Sequence, residues 1–422
     1  MNLRILFLLL IVLSPLAFAD SYLINNGRIV TMGAMGTIEN GDVRIADGRV
    51  VAVAQNIEAE ASDKIIEAEG AFVTPGLFDS GTQLGLAEVA NFVKSTDNRV
   101  EGQQLGAGFL LALALNRYSS LIPMVREGGI TRAMVIPVTG TEILAGMSAI
   151  IQLGDSAHFT TNDGNAVHLY LREVDKELAG GSRASALIQA INSLREAERY
   201  TRNVRAYENG KTREFRQSEA DLKALQKVLN RKIALVVHVD RAADIETVIA
   251  EFAAFNIRIV IAGGREAWKV KQLLADQDIP VLVNVMDNLP SRFDRLGARL
   301  DNAAILVEAG VTIALMTQNL FTNTQSLTQG AGVAVAYGLP WQEAMRAITV
   351  NPGVIWEVEN YGTLEAGAIA DVVIWDGDPL EVMSAPTKLM IDGKWINLTS
   401  RQDLLRDRYS DLGNQEVPFG YR

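Results

Sequence analysis

The stretch Pro75 to Gly85, PGLFDSGTQLG, is where the chain changes character. Upstream, Tyr22 to Ala71 is a series of short alternating strands, SYLINNGRIVTM, GDVRIADGRVVAVA and DKIIEAEGAFVTP, with Asn26-Gly27, Asp47-Gly48 and Glu69-Gly70 as turn signals. Such strands make a small sheet that cannot close its own core. Downstream, apolar strands alternate with longer amphipathic helices, which marks a parallel sheet with crossover helices. Val73 to Phe78 is the first of those strands, and it runs directly into the polar Asp79 to Gln83.

Further strands are expected at Thr131 to Val138, Ala166 to Leu171, Ile233 to Val239, Ile257 to Gly263, Pro280 to Val285 and Val311 to Thr317. Between them ADIETVIAEFAAF, EAWKVKQLLADQ and ARLDNAAILVEAG carry apolar residues at helical spacing. With one strand left unplaced, the count approaches the eight of a closed (β/α)8 TIM-like barrel, roughly 250 residues or more with insertions. The partner of the N-terminal strands lies at the other end, in Gly362 to Val382 and in KLMIDGKWI around the Asp392-Gly393 turn. The expected architecture is α/β, with a composite β-sandwich built by residues 20–74 and 361–422 around a barrel of residues 75–360.

Arg4, the apolar run Ile5 to Leu13, Pro15 and Ala17-Phe18-Ala19 fit a secretory signal peptide over residues 1–19, cleaved before Asp20. The run is too short for a permanent anchor, and no later segment is apolar enough to span a bilayer. The chain has no cysteine, which excludes a lipoprotein anchor and suits export to an oxidising periplasm. A formal charge of −11 argues against nucleic acid or an anionic membrane as partner. The Lys and Arg residues between Arg195 and Lys227 are interspersed with Glu and Asp, as on solvated helices.

An ordered series of segments resembles the amidohydrolase superfamily, most closely its imidazolonepropionase-like periplasmic branch: INNGRIVTM, VTPGLFDSGTQLG, GGITRAMVIP, VVHVDRAADI, EAGVTIALMT, AVAYGLPWQEAMRAITVNP and GTLEAGAIADVVIWDGDPLEV. The resemblance implies a barrel whose mouth holds one or two divalent metals, zinc above all. The ligands would be paired histidines after the first strand, a lysine or glutamate in mid-barrel, histidines after the fifth and sixth strands, and an aspartate after the eighth. The metal lowers the pKa of water and the aspartate moves its proton. Laid over that pattern, Gly81 and Gln83 occupy the paired histidine positions and His238 is the fifth-strand histidine. Gly263 or Gly264 falls at the sixth, and Asn319 takes the place of the aspartate. Glycine has no donor, and an asparagine cannot accept a proton from water. Glu173 and Lys176 are the nearest candidates in order for the mid-barrel ligand.

The chain has three histidines. His158 lies in a polar loop, His168 within a strand where a hydrogen-bonded core role is expected, and His238 at the C-terminal end of a barrel strand, where active sites form. Asp79, Asp240 and Asp287 fall near strand ends and with Gln83 and Asn319 offer oxygen ligands for Ca or Mg, or cap turns and helices. Gly128-Gly129 reads as a turn, Ala262-Gly263-Gly264-Arg265 as a tight strand-to-helix turn in preference to an anion cradle at a helix start, and the aromatic residues of NPGVIWEVENYG as packing between barrel and sandwich.

Two functional expectations follow. One is a degenerate amidohydrolase whose inherited reaction is hydrolysis of carbon–nitrogen bonds in cyclic amides, with no resident metal, acting as a small-molecule-binding subunit or as a homo- or hetero-oligomeric partner of a related amidohydrolase. The other is a divergent hydrolase with a rearranged site, in which His238 and Asp240 are the catalytic candidates and Gln83, His238 and Asn319 line the substrate pocket.

Overall fold

The computed structural model describes residues 21–88, 95–102, 105–156, 158–211, 214–318, 324, 326–399 and 401–410. The expected signal peptide and Asn319 lie outside the described residues. The chain begins with five strands: β1 (Ser21–Val30), β2 (Thr37–Ala46), β3 (Arg49–Ala54), β4 (Asp63–Glu67) and β5 (Phe72–Pro75). Eight more follow: β6 (Leu77–Thr82), β7 (Ile130–Val135), β8 (Leu144–Gln152), β9 (Thr160–Tyr170), β10 (Ala234–Val239), β11 (Ile259–Gly263), β12 (Val281–Val283) and β13 (Ile313–Leu315). The last three are β14 (Val372–Trp375), β15 (Pro386–Ile391) and β16 (Lys394–Ile396).

The terminal strands form one sheet in the order β16-β15-β14-β5-β1-β2-β3, with β4 also paired to β1. The two ends of the chain meet where β5 runs antiparallel to β14, Val73 opposite Ile374 and Pro75 opposite Val372. Ile24, Ile29, Val43, Ile45, Val73, Val372 and Met390 bury together as its core. Asp47-Gly48 and Asp392-Gly393 are hairpin turns with φ of 54° and 73°, then 52° and 75°. A Cβ on Gly393 would lie 2.4 Å from the Gly48 Cα, so these turns press backbone to backbone. Asn26-Gly27 is different: it is a bulge inside β1, not a turn, because the register with β2 shifts there and the strand continues to Val30.

The second sheet runs β6 to β13 in sequence order and curls into a nearly closed barrel, which fits the expected (β/α)8 class. Strand β13 returns to β6 through the Gln318 amide, which donates to the Gly81 carbonyl at 2.7 Å. The expected first barrel strand, Val73 to Phe78, is divided at Gly76, so that β5 serves the terminal sheet and β6 the barrel. The Gly76 amide donates to the Asp371 carbonyl at 2.8 Å at that break. The unplaced strand is β8, and it runs antiparallel to both neighbours, pairing Gln152 with Arg132 and Gly146 with His168. Every residue of LAGMSAIIQ is buried, so the segment lacks the alternation that marks a half-buried strand. It joins its neighbours by loops and has no crossover helix to announce it.

Alternate residues of each strand fill the barrel: Phe78, Met134, Ile150, Ala166, Val236, Val260, Leu282 and Met316 pack together, with Trp356 and Tyr361 closing the N-terminal end. Helices cover the outside. In Ala242–Phe252 the residues Ala242, Ile245, Val248, Ile249 and Phe252 are buried at helical spacing, and the opposite face meets solvent.

Candidate functional site at the barrel mouth

The C-terminal ends of the parallel strands bring His168, His238, Asp240, Arg265 and Gln318 together. His168 and Tyr170 lie on β9, His238 on β10, and Asp240 directly follows β10. Side chains two apart on a strand share a face, so the inward series Ala166, His168, Tyr170 and Ala234, Val236, His238 places both imidazoles inside the barrel. His168 Nδ1 lies 2.9 Å from His238 Nε2, and the Tyr170 ring stacks on His238 with centroids 3.8 Å apart and planes within 6°. Both histidines are fully buried. His168 is therefore a hydrogen-bonded core histidine, and its partner is the residue singled out for the site. His158 is exposed in its loop.

Arg265 fixes the polarity of this chain of hydrogen bonds. A guanidinium only donates, so the Gln318 side-chain oxygen faces Arg265 Nη2 (3.3 Å), and the Gln318 amide nitrogen then donates to His238 Nδ1 (3.3 Å). His238 accordingly carries its proton on Nε2 and gives it to His168 Nδ1. The His168 proton sits on Nε2, a buried atom with no partner. Burial holds the His168 imidazole down to about 3. For His238, burial first, then His168, Arg172 and Arg265, depress it well below the ordinary range. The pair is neutral at physiological pH.

Asp240 is a partner of arginine. Its Oδ1 accepts from Arg265 Nη1 at 2.8 Å, while Arg292 and Arg295 approach Oδ2 at 3.5 and 3.8 Å. Arg265 also donates to Asp287 Oδ2 at 2.7 Å, and Arg295 reaches the same oxygen at 3.0 Å. Gly263 makes this possible: its φ is +94°, and a Cβ there would stand 2.3 Å from Arg265 Nη1 and 2.6 Å from Asp240 Oδ1. The tight Gly263-Gly264 turn expected from the sequence thus folds the next side chain back over the barrel mouth.

Asp79 performs a different task. Its carboxyl accepts from the Gly81 amide at 3.0 Å, the Thr317 amide at 3.1 Å and the Thr317 hydroxyl, and so stitches the first strand to the last. Burial pushes it up to about 7 against the pull of those hydrogen bonds, first among them the Thr317 hydroxyl. Gln83 is buried and accepts from Asn98 Nδ2 at 2.6 Å. Glu173 is engaged with the Asp294 backbone at 3.1 Å, and Lys176 lies half-buried on the same turn. Neither enters the histidine cluster through any of these contacts. A cavity of about 310 Å³ opens beside the site, lined by Asn284, Met286, Asp287, Met316, Thr317 and Leu327. A larger one of about 660 Å³, at Arg231, Phe252 and Arg258, lies at the opposite end of the strands, away from where barrel chemistry is performed.

Comparison with known proteins places this arrangement. An amidohydrolase from Thermotoga maritima superposes with a TM-score of 0.81 at 25% identity, covering 89% of this chain and 99% of that one. The amidohydrolase tasK of Hapsidospora irregularis is 22% identical over 84% of this chain, which spans only 39% of that protein's length. A dihydroorotase of Halalkalibacterium halodurans is 25% identical over 84% of this chain and 88% of its own length. The fold is that of the amidohydrolase barrels. Residues 183–397 match the amidohydrolase family itself, and the chain belongs to that family.

The family typically binds divalent metal, and the residues present do not fit one. Both His238 nitrogens are engaged within the protein. Gly81 offers no donor, and Met316 lies 3.1 and 3.3 Å from where its Cβ would be. Among the described residues no three His, Cys, Asp or Glu side chains converge as a metal would require.

The sequence reading missed Gln318 and Tyr170 as members of the site, and marked Arg265 only as the end of a tight turn or anion cradle. Arg265 follows two glycines at a strand end, and Gln318 stands between the strand expected to end at Thr317 and the singled-out Asn319. Those were the available signals. Tyr170 gave none, since an aromatic residue on a strand reads as core.

Proposed function

We propose that this chain is a degenerate amidohydrolase, exported to the periplasm, that binds a small molecule at the barrel mouth or partners a related amidohydrolase and has little or no metal-dependent activity of its own. Its inherited reaction class is hydrolysis of carbon–nitrogen bonds, in keeping with relatives named dihydroorotase and 5'-deoxyadenosine deaminase, and cyclic amides are the substrates we propose. The supporting observation is the Arg265 guanidinium, held by Asp240 and Asp287 in the region where the fifth, sixth and seventh strands end. The family's ligand positions Gly81, Gln83 and Gly263 supply no imidazole, and His238 is left with protein partners. The test is turnover of a panel of cyclic amides by the mature protein, with and without chelator, alongside elemental analysis after incubation with zinc and manganese. No turnover and no retained metal is the expected result. Chelator-sensitive hydrolysis would overturn the proposal.

A second proposal rests on the buried His168–His238 hydrogen bond, which sets two imidazoles side by side near the C-terminal ends of adjacent barrel strands. It is a divergent hydrolase with a rearranged site around His238. Chelator-insensitive turnover abolished in His238→Asn, with folding intact, would favour it.

A further inference from the structure

We propose that Arg265 is a resident organic cation that takes the place of a divalent metal in this barrel and keeps such a metal out. The inference rests on the degenerate reading of the site. Three oxygens converge on one end of the guanidinium: Asp240 Oδ1 at 2.8 Å, Asp287 Oδ2 at 2.7 Å and Gln318 Oε1 at 3.3 Å. They come from the ends of β10, β12 and β13, and the cation comes from β11 between them. Four neighbouring strands are thereby tied through one positive charge, which is the arrangement a bound cation gives to ligands spread around a barrel mouth.

The replacement is sterically exclusive. A side chain at position 263 would occupy the space of Arg265 Nη1 and Asp240 Oδ1, so an imidazole there and the guanidinium cannot both hold these positions. The glycine and the arginine form one device. Arg265 and Asp240 are almost fully buried, at 2% and 1% exposure, so neither side chain has open solvent in which to swing aside for an incoming ion. An all-oxygen cage of two carboxylates and an amide suits a hard ion such as Mn²⁺ better than Zn²⁺. Deleting the guanidinium empties the space between the two carboxylates, whose other cationic contacts are Arg295, at 3.0 Å from Asp287 and 3.8 Å from Asp240, and Arg292, at 3.5 Å from Asp240.

The experiment measures Mn²⁺ binding by calorimetry and by the Mn²⁺-dependent shift in Tm, for the full mature chain and for Arg265→Ala. The wild type is expected to show no Mn²⁺-dependent stabilisation. Arg265→Ala should bind Mn²⁺ about tenfold or more tightly than the wild type, its Tm should rise with Mn²⁺, and adding Asp240→Asn should abolish both gains. A folded Arg265→Ala that binds no better than the wild type overturns the proposal, as does stoichiometric Mn²⁺ on the wild type that is lost in Asp240→Asn. Should Arg265→Ala fail to fold, it and the volume-matched Arg265→Met are refolded with and without Mn²⁺. Rescue by the ion supports the cage, and failure of both variants regardless of Mn²⁺ overturns it. Metal-independent turnover of a cyclic amide by the wild type would overturn the functional proposal and leave this one standing.

Discussion

Two buried arginine–aspartate pairs sit at opposite ends of the same barrel, and they are built differently. At the N-terminal end, Arg132 on β7 donates to Asp371 at 3.0 Å, both almost fully buried, and lies over the Tyr361 ring at 5.2 Å. The other Asp371 oxygen accepts from the Asp392 amide at 2.7 Å, and the Tyr361 hydroxyl donates to the Gly76 carbonyl at 2.8 Å. This cluster joins barrel to terminal sheet. At the mouth, Asp240 is shared by Arg265, Arg292 and Arg295, and the Nε atoms of all three arginines are buried without a hydrogen-bond partner. The first pair is closed. The second is oversupplied with cations and imperfectly satisfied, which a structural joint does not need and a ligand-binding end of a barrel tolerates.

Removing one partner from each pair should separate the two ends of the barrel. Arg132→Ala strands a buried carboxylate and should cost on the order of 3–5 kcal/mol in chemical denaturation. Asp240→Ala leaves Arg265 with Asp287 and Gln318 and should cost about half as much; equal losses would mean that the mouth is as tightly closed as the floor. Gly263→Ala forces a left-handed backbone on a residue with a Cβ and drives that Cβ into the ion pair, so a loss of ~2 kcal/mol or more is expected, relieved in part when Arg265→Ala is added.

Acidity sharpens the contrast between the mouth's imidazoles and its seam. His168 and His238 are neutral in the fold and take up protons on unfolding below their ordinary 6.5, whereas Asp79 is protonated in the fold up to about 7 and releases its proton on unfolding above 3.8. Between about pH 4 and 6.5 unfolding takes up two protons and releases one. From these groups stability should rise by roughly 1.4 kcal/mol per pH unit there and level off between about pH 6.5 and 7, where the unfolded histidines lose their protons as the folded Asp79 loses its own. In Asp79→Asn the limb between about pH 4 and 6.5 should steepen to roughly twice that slope. Denaturation midpoints at half-unit pH steps would check this. The smallest effect is Tyr170→Phe, which deletes the hydroxyl bonded to the Pro137 carbonyl but keeps the stack on His238, at a cost of about 1 kcal/mol.

Much of the architecture was legible because periodicity survives in a single sequence. The helix Ala242–Phe252 and the hairpin turns at Asp47-Gly48 and Asp392-Gly393 follow from apolar spacing and from residues that tolerate positive φ. Strand β8 escaped because a fully buried strand has no alternation and a hairpin has no helix to mark it. The split at Gly76 escaped because one apolar run serves two sheets, and only pairing partners divide it.

The candidate site was legible position by position and not as a set. Sequence alone determined that Gly81, Gln83 and Gly263 bring no imidazole to the mouth, that His238 stands at a strand end, and that the chain is cysteine-free and acidic. Tertiary structure decided what the remaining groups do: Asp240 is bound by arginine, Asp79 seams the barrel, His168 joins His238, and Arg265 lies among three oxygens. Residue identity fixes which atoms can donate or accept. Which of them meet depends on strand order and on where a positive-φ glycine turns the next side chain, and those relations link positions far apart in the chain.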